Sequence, residues 1–143
     1  MNSLVAQEIF ADEIQALTPE LFSLRGWHLF AKAFPVIDIG FKAADQVRMR
    51  IRMVCGQYND EPPSIELLSP EGEFLQSVQQ DPAGIFNSSV HPSTGRPFIC
   101  MRGSREYHTH PSHTTDRWEV IRENYTLGYV LTQIWRAWKR RNP

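Results

Sequence analysis

The chain has little of what marks secreted, membrane-spanning or disulfide-stabilised proteins. It contains only two cysteines, Cys55 and Cys100, in 143 residues. Two cysteines are too few for a disulfide framework and are typical of a reducing compartment. No apolar run approaches the roughly 20 residues that a transmembrane helix needs, and the first residues lack the apolar core of a signal peptide. We therefore expect a cytoplasmic protein that works away from membranes.

Excess charge of either sign is also absent. The 15 basic and 16 acidic residues leave a formal net charge of -1, so no basic field predicts binding to nucleic acid. Hydrophobic residues make up 41% of the chain, which is ordinary for a globular protein. We expect one domain over residues 1–143, long enough to bury a core without disulfides.

Hydrophobic spacing predicts a helix near each end of the chain. Apolar residues recur on one helical face over residues 4–17, and Thr18-Pro19 is expected to end this helix, since proline does not fit a helix interior. A second helix is predicted after Thr126 by the pattern TLGYVLTQIWRAWKRR. The hydroxyl of Thr126 is placed to cap its first turn.

The region between these helices has the pattern of β-strands. Apolar residues alternate with arginines over residues 46–56, QVRMRIRMVCG, which predicts a strand with one buried face that includes Cys55. One or two strands are predicted within residues 27–43, and another in SIELLSPEG. The order of elements predicts an α+β fold, an antiparallel meander with helices packed on one face.

Residues 76–117 are rich in proline, glycine, serine and histidine and predict a long irregular segment. Long loops in compact domains are often functional, and this one contains Cys100 in HPSTGRPFICM. Thiolate chemistry needs access and positively charged neighbours, and arginines and histidines are close in sequence. Cys100 is therefore a candidate nucleophile, and the alternative is an inert buried cysteine.

The order of these segments resembles the ubiquitin-conjugating enzyme family, in its divergent bacterial form. The resemblance is carried, in chain order, by Tyr58 and the pair Pro62-Pro63, by His91-Pro92, by Ile99-Cys100-Met101 and by the helix after Thr126. In that family an N-terminal helix and a four-stranded antiparallel meander precede a His-Pro-Asn motif and then the nucleophilic cysteine. The resemblance covers residues 5–140 and implies the ubiquitin-conjugating fold.

The resemblance implies a transferase that carries a ubiquitin-like modifier as a thioester on Cys100, without a cofactor. A thiol is a good nucleophile near neutral pH, and a thioester keeps the acyl group reactive. The modifier would arrive from a ubiquitin-activating-like enzyme that contacts residues 4–17. It would pass to an amine or thiol on an acceptor protein. The implied partners are therefore proteins, and neither nucleic acid nor a membrane.

The resemblance also implies roles for residues on the loop that begins with His91-Pro92, called here the motif loop. His91 and Pro92 would shape the loop. Ser93 stands where the family has asparagine, and Ser93 or Thr94 would assist the oxyanion. Loss of an oxyanion donor costs on the order of 10²- to 10³-fold in rate, so this position matters for transfer to an amine.

An insertion, GSREYHTHPSHTT, separates Cys100 from Trp118. His108 or His110 within it would take the proton from an incoming amine. The same fragment resembles the His-x-His-Pro motif of metal-dependent ubiquitin-like proteases, which is the metal-binding alternative. Those proteases need a serine where this chain has Trp118, and we assign no metal ligands.

A non-catalytic function also stays open. Some domains with the ubiquitin-conjugating fold lack the cysteine and only bind partners. The presence of Cys100 argues against such a binding module, whereas Ser93 in place of asparagine favours it.

Overall fold

A computed structural model describes residues 2–143, which form an α+β structure. Helix α1 (Ser3–Ile14) begins after Asn2, whose side chain accepts a hydrogen bond from the Leu4 N–H at 2.8 Å. The predicted N-terminal helix is confirmed, but it ends at Ile14 and not at residue 17. Helix α2 (Pro19–Arg25) follows, where the sequence predicted only the end of the first helix. Proline is tolerated at a first helical position because its missing N–H would have had no helical partner there.

The sheet is a four-stranded antiparallel meander in chain order. Its strands are β1 (Trp27–Ala33), β2 (Val36–Ala43), β3 (Gln46–Val54) and β4 (Ser64–Leu68). Ile51 at the centre of β3 pairs with Ile39 on one side and Leu67 on the other. The alternation predicted for β3 is confirmed, since Met49, Ile51 and Met53 are buried while the arginines between them are not. Apolar cross-strand pairs therefore form the floor of the core.

The last helix completes the core on the buried face of the sheet. Helix α5 (Leu127–Lys139) follows the short elements that are described next. It begins directly after Thr126, whose hydroxyl accepts the Tyr129 N–H at 3.2 Å, as predicted. The Trp138 ring on α5 lies 5.3 Å from the ring of Phe41 on β2. None of the helices in residues 2–143 is long and apolar enough to cross a membrane.

Between β4 and α5 the chain is less irregular than predicted. It forms strands β5 (Phe86–Asn87) and β6 (Phe98–Ile99), helices α3 (Arg105–Thr109) and α4 (Trp118–Ile121), and 3₁₀ turns at Pro111–His113 and Arg122–Asn124. Strands β5 and β6 pair antiparallel in a separate small sheet. Such short elements leave no periodic pattern in the sequence, which is why the prediction of a long loop over residues 76–117 was wrong in detail.

Helix α3 is attached to the main sheet by Glu106, which is buried. One of its carboxylate oxygens accepts the Ile65 N–H at 2.8 Å, and the other accepts the Ser64 hydroxyl at 2.6 Å. Buried carboxylates need such donors to offset the loss of water. The attachment places α3 beside the turn that follows β6.

Candidate active site

Cys100 lies directly after β6 and is half-buried. Its backbone N–H donates to the Ile85 carbonyl at 2.8 Å. Four residues on, the Ser104 hydroxyl donates to the Ile99 carbonyl at 2.7 Å and accepts the Tyr107 N–H at 3.1 Å, capping α3. The turn from Cys100 to α3 is therefore held by hydrogen bonds on both sides.

The Cys100 sulfur has an amide neighbour, Asn87 on β5. Burial raises the pKa of the Cys100 thiol, and a hydrogen bond from the Asn87 side chain lowers it in part. The Oδ1 atom of Asn87 accepts the Ser89 N–H at 2.8 Å, which leaves the NH₂ group to donate to the sulfur. Sequence analysis missed Asn87, since it lies before the motif loop and no pattern marks it.

Among residues 2–143, His113 is the histidine that contacts the Cys100 thiol. Its Nε2 lies 3.7 Å from the Cys100 Sγ, within hydrogen-bonding range for sulfur. Its ring stacks on Tyr107, with centroids 4.0 Å apart and planes 17° apart. A neutral imidazole protonated at Nδ1 presents the Nε2 lone pair to the thiol. The position predicted for His108 or His110, beside the thiol, is thus occupied by His113.

Asp116 connects the segment that carries His113 to the turn after Cys100. Its Oδ2 accepts the Tyr107 hydroxyl at 2.6 Å and the Arg102 Nε–H at 2.7 Å. The Tyr107 hydroxyl and the Arg102 guanidinium hold the pKa of Asp116 below its usual value. Asp116 is therefore a carboxylate at neutral pH, and it keeps Tyr107 beneath the His113 ring.

His108 uses both ring nitrogens within the protein. Its Nε2 accepts the Gly103 N–H at 3.1 Å, and its Nδ1 lies 2.9 Å from the Asp116 carbonyl, to which it donates. Burial lowers the pKa of His108, so the ring is neutral. It has no free lone pair with which to accept a proton or to bind a metal.

His91 is buried, and both of its ring nitrogens form hydrogen bonds within the protein. Its Nε2 donates to the Glu106 carbonyl at 2.9 Å, and its Nδ1 accepts the Ser93 N–H at 3.0 Å. Ser93 itself is exposed, and Thr94 accepts the Arg96 N–H at 3.3 Å. Among residues 2–143, no hydrogen bond joins Ser93 or Thr94 to the thiol.

The His110 ring belongs to an aromatic stack. Its ring stacks on Phe98 at a centroid distance of 5.7 Å, and its Nδ1 lies 2.6 Å from the Ser112 hydroxyl. In the part of the chain that is described, no three histidine, cysteine, aspartate or glutamate side chains converge as metal ligands do. The His108 and His110 pair therefore gives the metalloprotease alternative no support.

Comparison with known proteins gives one family match. The model of the Y4jH family, described as Y4jH-like, matches residues 69–140. This stretch is half of the chain and contains Asn87, Cys100, His113 and Asp116. No curated protein matches the chain.

Proposed function

The chain belongs to the Y4jH-like family, and we propose that it is a ubiquitin-conjugating-like enzyme carrying a ubiquitin-like modifier as a thioester on Cys100. The observation that carries the proposal is the thiol geometry, with His113 Nε2 at 3.7 Å from the Cys100 Sγ. The order of elements, from N-terminal helix through antiparallel meander and thiol turn to C-terminal helix, supports the ubiquitin-conjugating fold as part of this proposal.

Loading is an exchange of one thioester for another. The Cys100 thiol gives its proton to His113 as the sulfur attacks the carbonyl carbon of the incoming thioester, and a new C–S bond forms. The old C–S bond breaks, and the departing thiolate takes the proton from His113. Because the bond formed and the bond broken are of one kind, the step needs no cofactor.

Discharge transfers the acyl group to an amine of the acceptor protein. The amine attacks the thioester carbonyl, and its proton passes to His113 Nε2. The C–N bond forms, the C–S bond breaks, and Cys100 leaves as a thiolate that accepts the Asn87 amide hydrogen bond. A positioned base of this kind contributes about 10²- to 10⁴-fold to a rate.

A chemical probe tests the carrier step without knowledge of the partner proteins. The probe is a short peptide ending in Gly-Gly, activated as an alkyl thioester. We expect the intact mass of the protein, recorded without reductant, to rise by one acyl-peptide and to return to its starting value with thiol reductant. Cys100→Ala should abolish the adduct, whereas the matched control Cys55→Ala should keep it, because Cys55 is fully buried.

A second arm uses full-length proteins. The chain is mixed with a candidate activating enzyme, its ubiquitin-like modifier and ATP, and run on a non-reducing gel. A modifier-sized shift that Cys100→Ala and reductant both remove supports the proposal. A wild-type protein that forms no adduct with the peptide thioester, or an adduct that persists in Cys100→Ala, would reject a thioester on Cys100.

A non-catalytic binding module is the second candidate. It is favoured by the burial that raises the pKa of the Cys100 thiol, since a protonated thiol is a poor nucleophile. This candidate requires that Cys100→Ala retain every partner interaction and that His113→Ala leave the rate of thiol acylation unchanged.

A further inference from the structure

A cavity lies between the start of β3, the end of α5 and the chain that follows β4. Its volume is about 250 Å³. The cavity is lined by the buried residues Met49, Phe86 and Trp138, by the exposed Arg48 and Arg141, and by further polar residues. An apolar cavity with a few polar groups around it is the usual form of a small-molecule site. Its size, slightly below the usual range for such sites, limits the ligand to a small molecule.

The two arginines carry charges that the protein does not neutralise. Arg48 donates its Nε–H to the Ala43 carbonyl at 3.3 Å. Neither Arg48 nor Arg141 forms an ion pair within residues 2–143. Both are exposed, so their guanidinium groups remain free to meet an anion. The planar fork of donors on arginine matches a carboxylate.

A neighbouring cavity of about 300 Å³ extends this positive region. Ala137 and Arg141 line both cavities, and Arg140 lines the second. Asp81 also lines it, but Asp81 is buried and its Oδ1 accepts the Phe86 N–H at 2.6 Å. The end of α5 contributes only about half a negative charge, which is smaller than the positive charge of Arg140 and Arg141 beside it. An anion is therefore the favoured occupant.

We infer that the first cavity binds a small organic carboxylate with an apolar body of about one aromatic ring. The apolar body would displace water from Met49, Phe86 and Trp138, which favours its burial. The carboxylate would meet Arg48 and Arg141. Asn87, Cys100 and His113 do not line the cavity, so this inference stands apart from the proposed function.

Three probes with shared parts test the inference by ¹H–¹⁵N NMR titration of the whole chain. They are 4-phenylbutyrate, which has the body and the charge, 4-phenylbutan-1-ol, which has the body alone, and butyrate, which has the charge alone. We expect 4-phenylbutyrate to shift the amide signals of Val78, Gln79 and Trp138 saturably. The alcohol and butyrate should each bind at least about tenfold more weakly, since losing a charge-assisted hydrogen bond or the buried ring costs more than about 1.4 kcal/mol.

Arginine variants then test which charges bind the carboxylate of the probe. The double variant Arg48→Gln, Arg141→Gln should weaken 4-phenylbutyrate at least about tenfold and leave the alcohol unchanged. The matched control is Arg117→Gln, an exposed arginine that lines neither cavity. The inference is overturned if 4-phenylbutyrate produces no saturable shift, or if 4-phenylbutan-1-ol binds as tightly as 4-phenylbutyrate. It is also overturned if the double variant binds 4-phenylbutyrate as tightly as the wild type does.

Discussion

Burial and hydrogen bonding change the pKa of the Cys100 thiol in opposite directions. Partial burial raises the pKa of the thiol, and the Asn87 amide lowers it. In the proposed mechanism, His113 takes the proton of the Cys100 thiol when the sulfur attacks, since its Nε2 lies 3.7 Å from the Sγ. Under this proposal the reactivity of Cys100 depends on Asn87 and His113, and each contribution can be removed by its own substitution.

Replacing Asn87 by alanine should make Cys100 less reactive at neutral pH. The pKa of the thiol rises further when the donor is lost, so the thiolate fraction falls. We expect alkylation by iodoacetamide at pH 7 to slow by roughly threefold to tenfold, and the rise of the rate with pH to move to higher pH. Ser89→Ala is the matched control, since it keeps the backbone N–H that holds Asn87. An unchanged pH profile for Asn87→Ala would contradict the assigned contact.

Cys55 makes stability sensitive to alkali. Burial in the core raises the pKa of its thiol from an ordinary 9.0 to about 12. A raised pKa stabilises the fold at pH values below the unfolded pKa, and this contribution is lost as the pH rises from about 9 towards 12. Between pH 7 and pH 10 we expect urea unfolding to show that wild type loses on the order of 1 kcal/mol more than Cys55→Ala. Equal losses in the two proteins would show that the thiol does not titrate in this way.

At the scale of elements, the segment from α3 to Asp116 acts as one unit above the thiol. Glu106 attaches α3 to β4, and Asp116 connects Tyr107 to Arg102 in the turn after Cys100. Tyr107 in turn supports the His113 ring. The position of His113, the proposed base, thus depends on a short helix and one carboxylate.

Tyr107 should act on the chemistry only through His113. In discharge of the acylated protein to a small amine, we expect His113→Ala to slow the reaction by about 10²-fold. Tyr107→Ala should cause a large part of that loss, and the double variant should be no slower than His113→Ala alone. Tyr107→Phe keeps the ring stack and should lose less than Tyr107→Ala. Additive losses in the double variant would assign Tyr107 an independent role.

At the scale of the whole molecule, one carboxylate joins three distant parts of the chain. The Oε1 of Glu13 on α1 accepts the Tyr58 hydroxyl at 2.9 Å and the Leu127 N–H at the start of α5 at 2.7 Å. Burial raises the pKa of Glu13. The first helix, the turn after β3 and the last helix therefore share a single acceptor atom.

Removing this acceptor should destabilise the fold. Glu13→Ala leaves the Tyr58 hydroxyl and the Leu127 N–H without a partner, which should cost about 2 kcal/mol or more of unfolding free energy. Glu13→Gln retains a carbonyl acceptor and removes a charge that burial disfavours, so it should lose less than half as much. Urea unfolding at pH 7 measures both. Equal losses for the two variants would show that the acceptor oxygen is not what matters.

The sequence by itself determined the elements whose patterns are long and regular. The alternation in β3, the buried side of Cys55, the α5 helix and its Thr126 cap follow from residues close together in the chain. An α+β meander with helices at both ends follows from their order. In long elements, buried and exposed residues alternate with the period of the helix or strand, so these elements can be predicted without a structure.

Only the tertiary structure decided what surrounds the Cys100 sulfur. Asn87 and His113 lie thirteen positions before and thirteen after it, on a two-residue strand and a 3₁₀ turn that have no periodic pattern. His108, His110 and His113 are close together in the sequence, and only one of them hydrogen-bonds to the thiol among the described residues. Which of them reaches it depends on where Glu106 and Asp116 attach the segment, and those attachments are hydrogen bonds between residues far apart in the sequence.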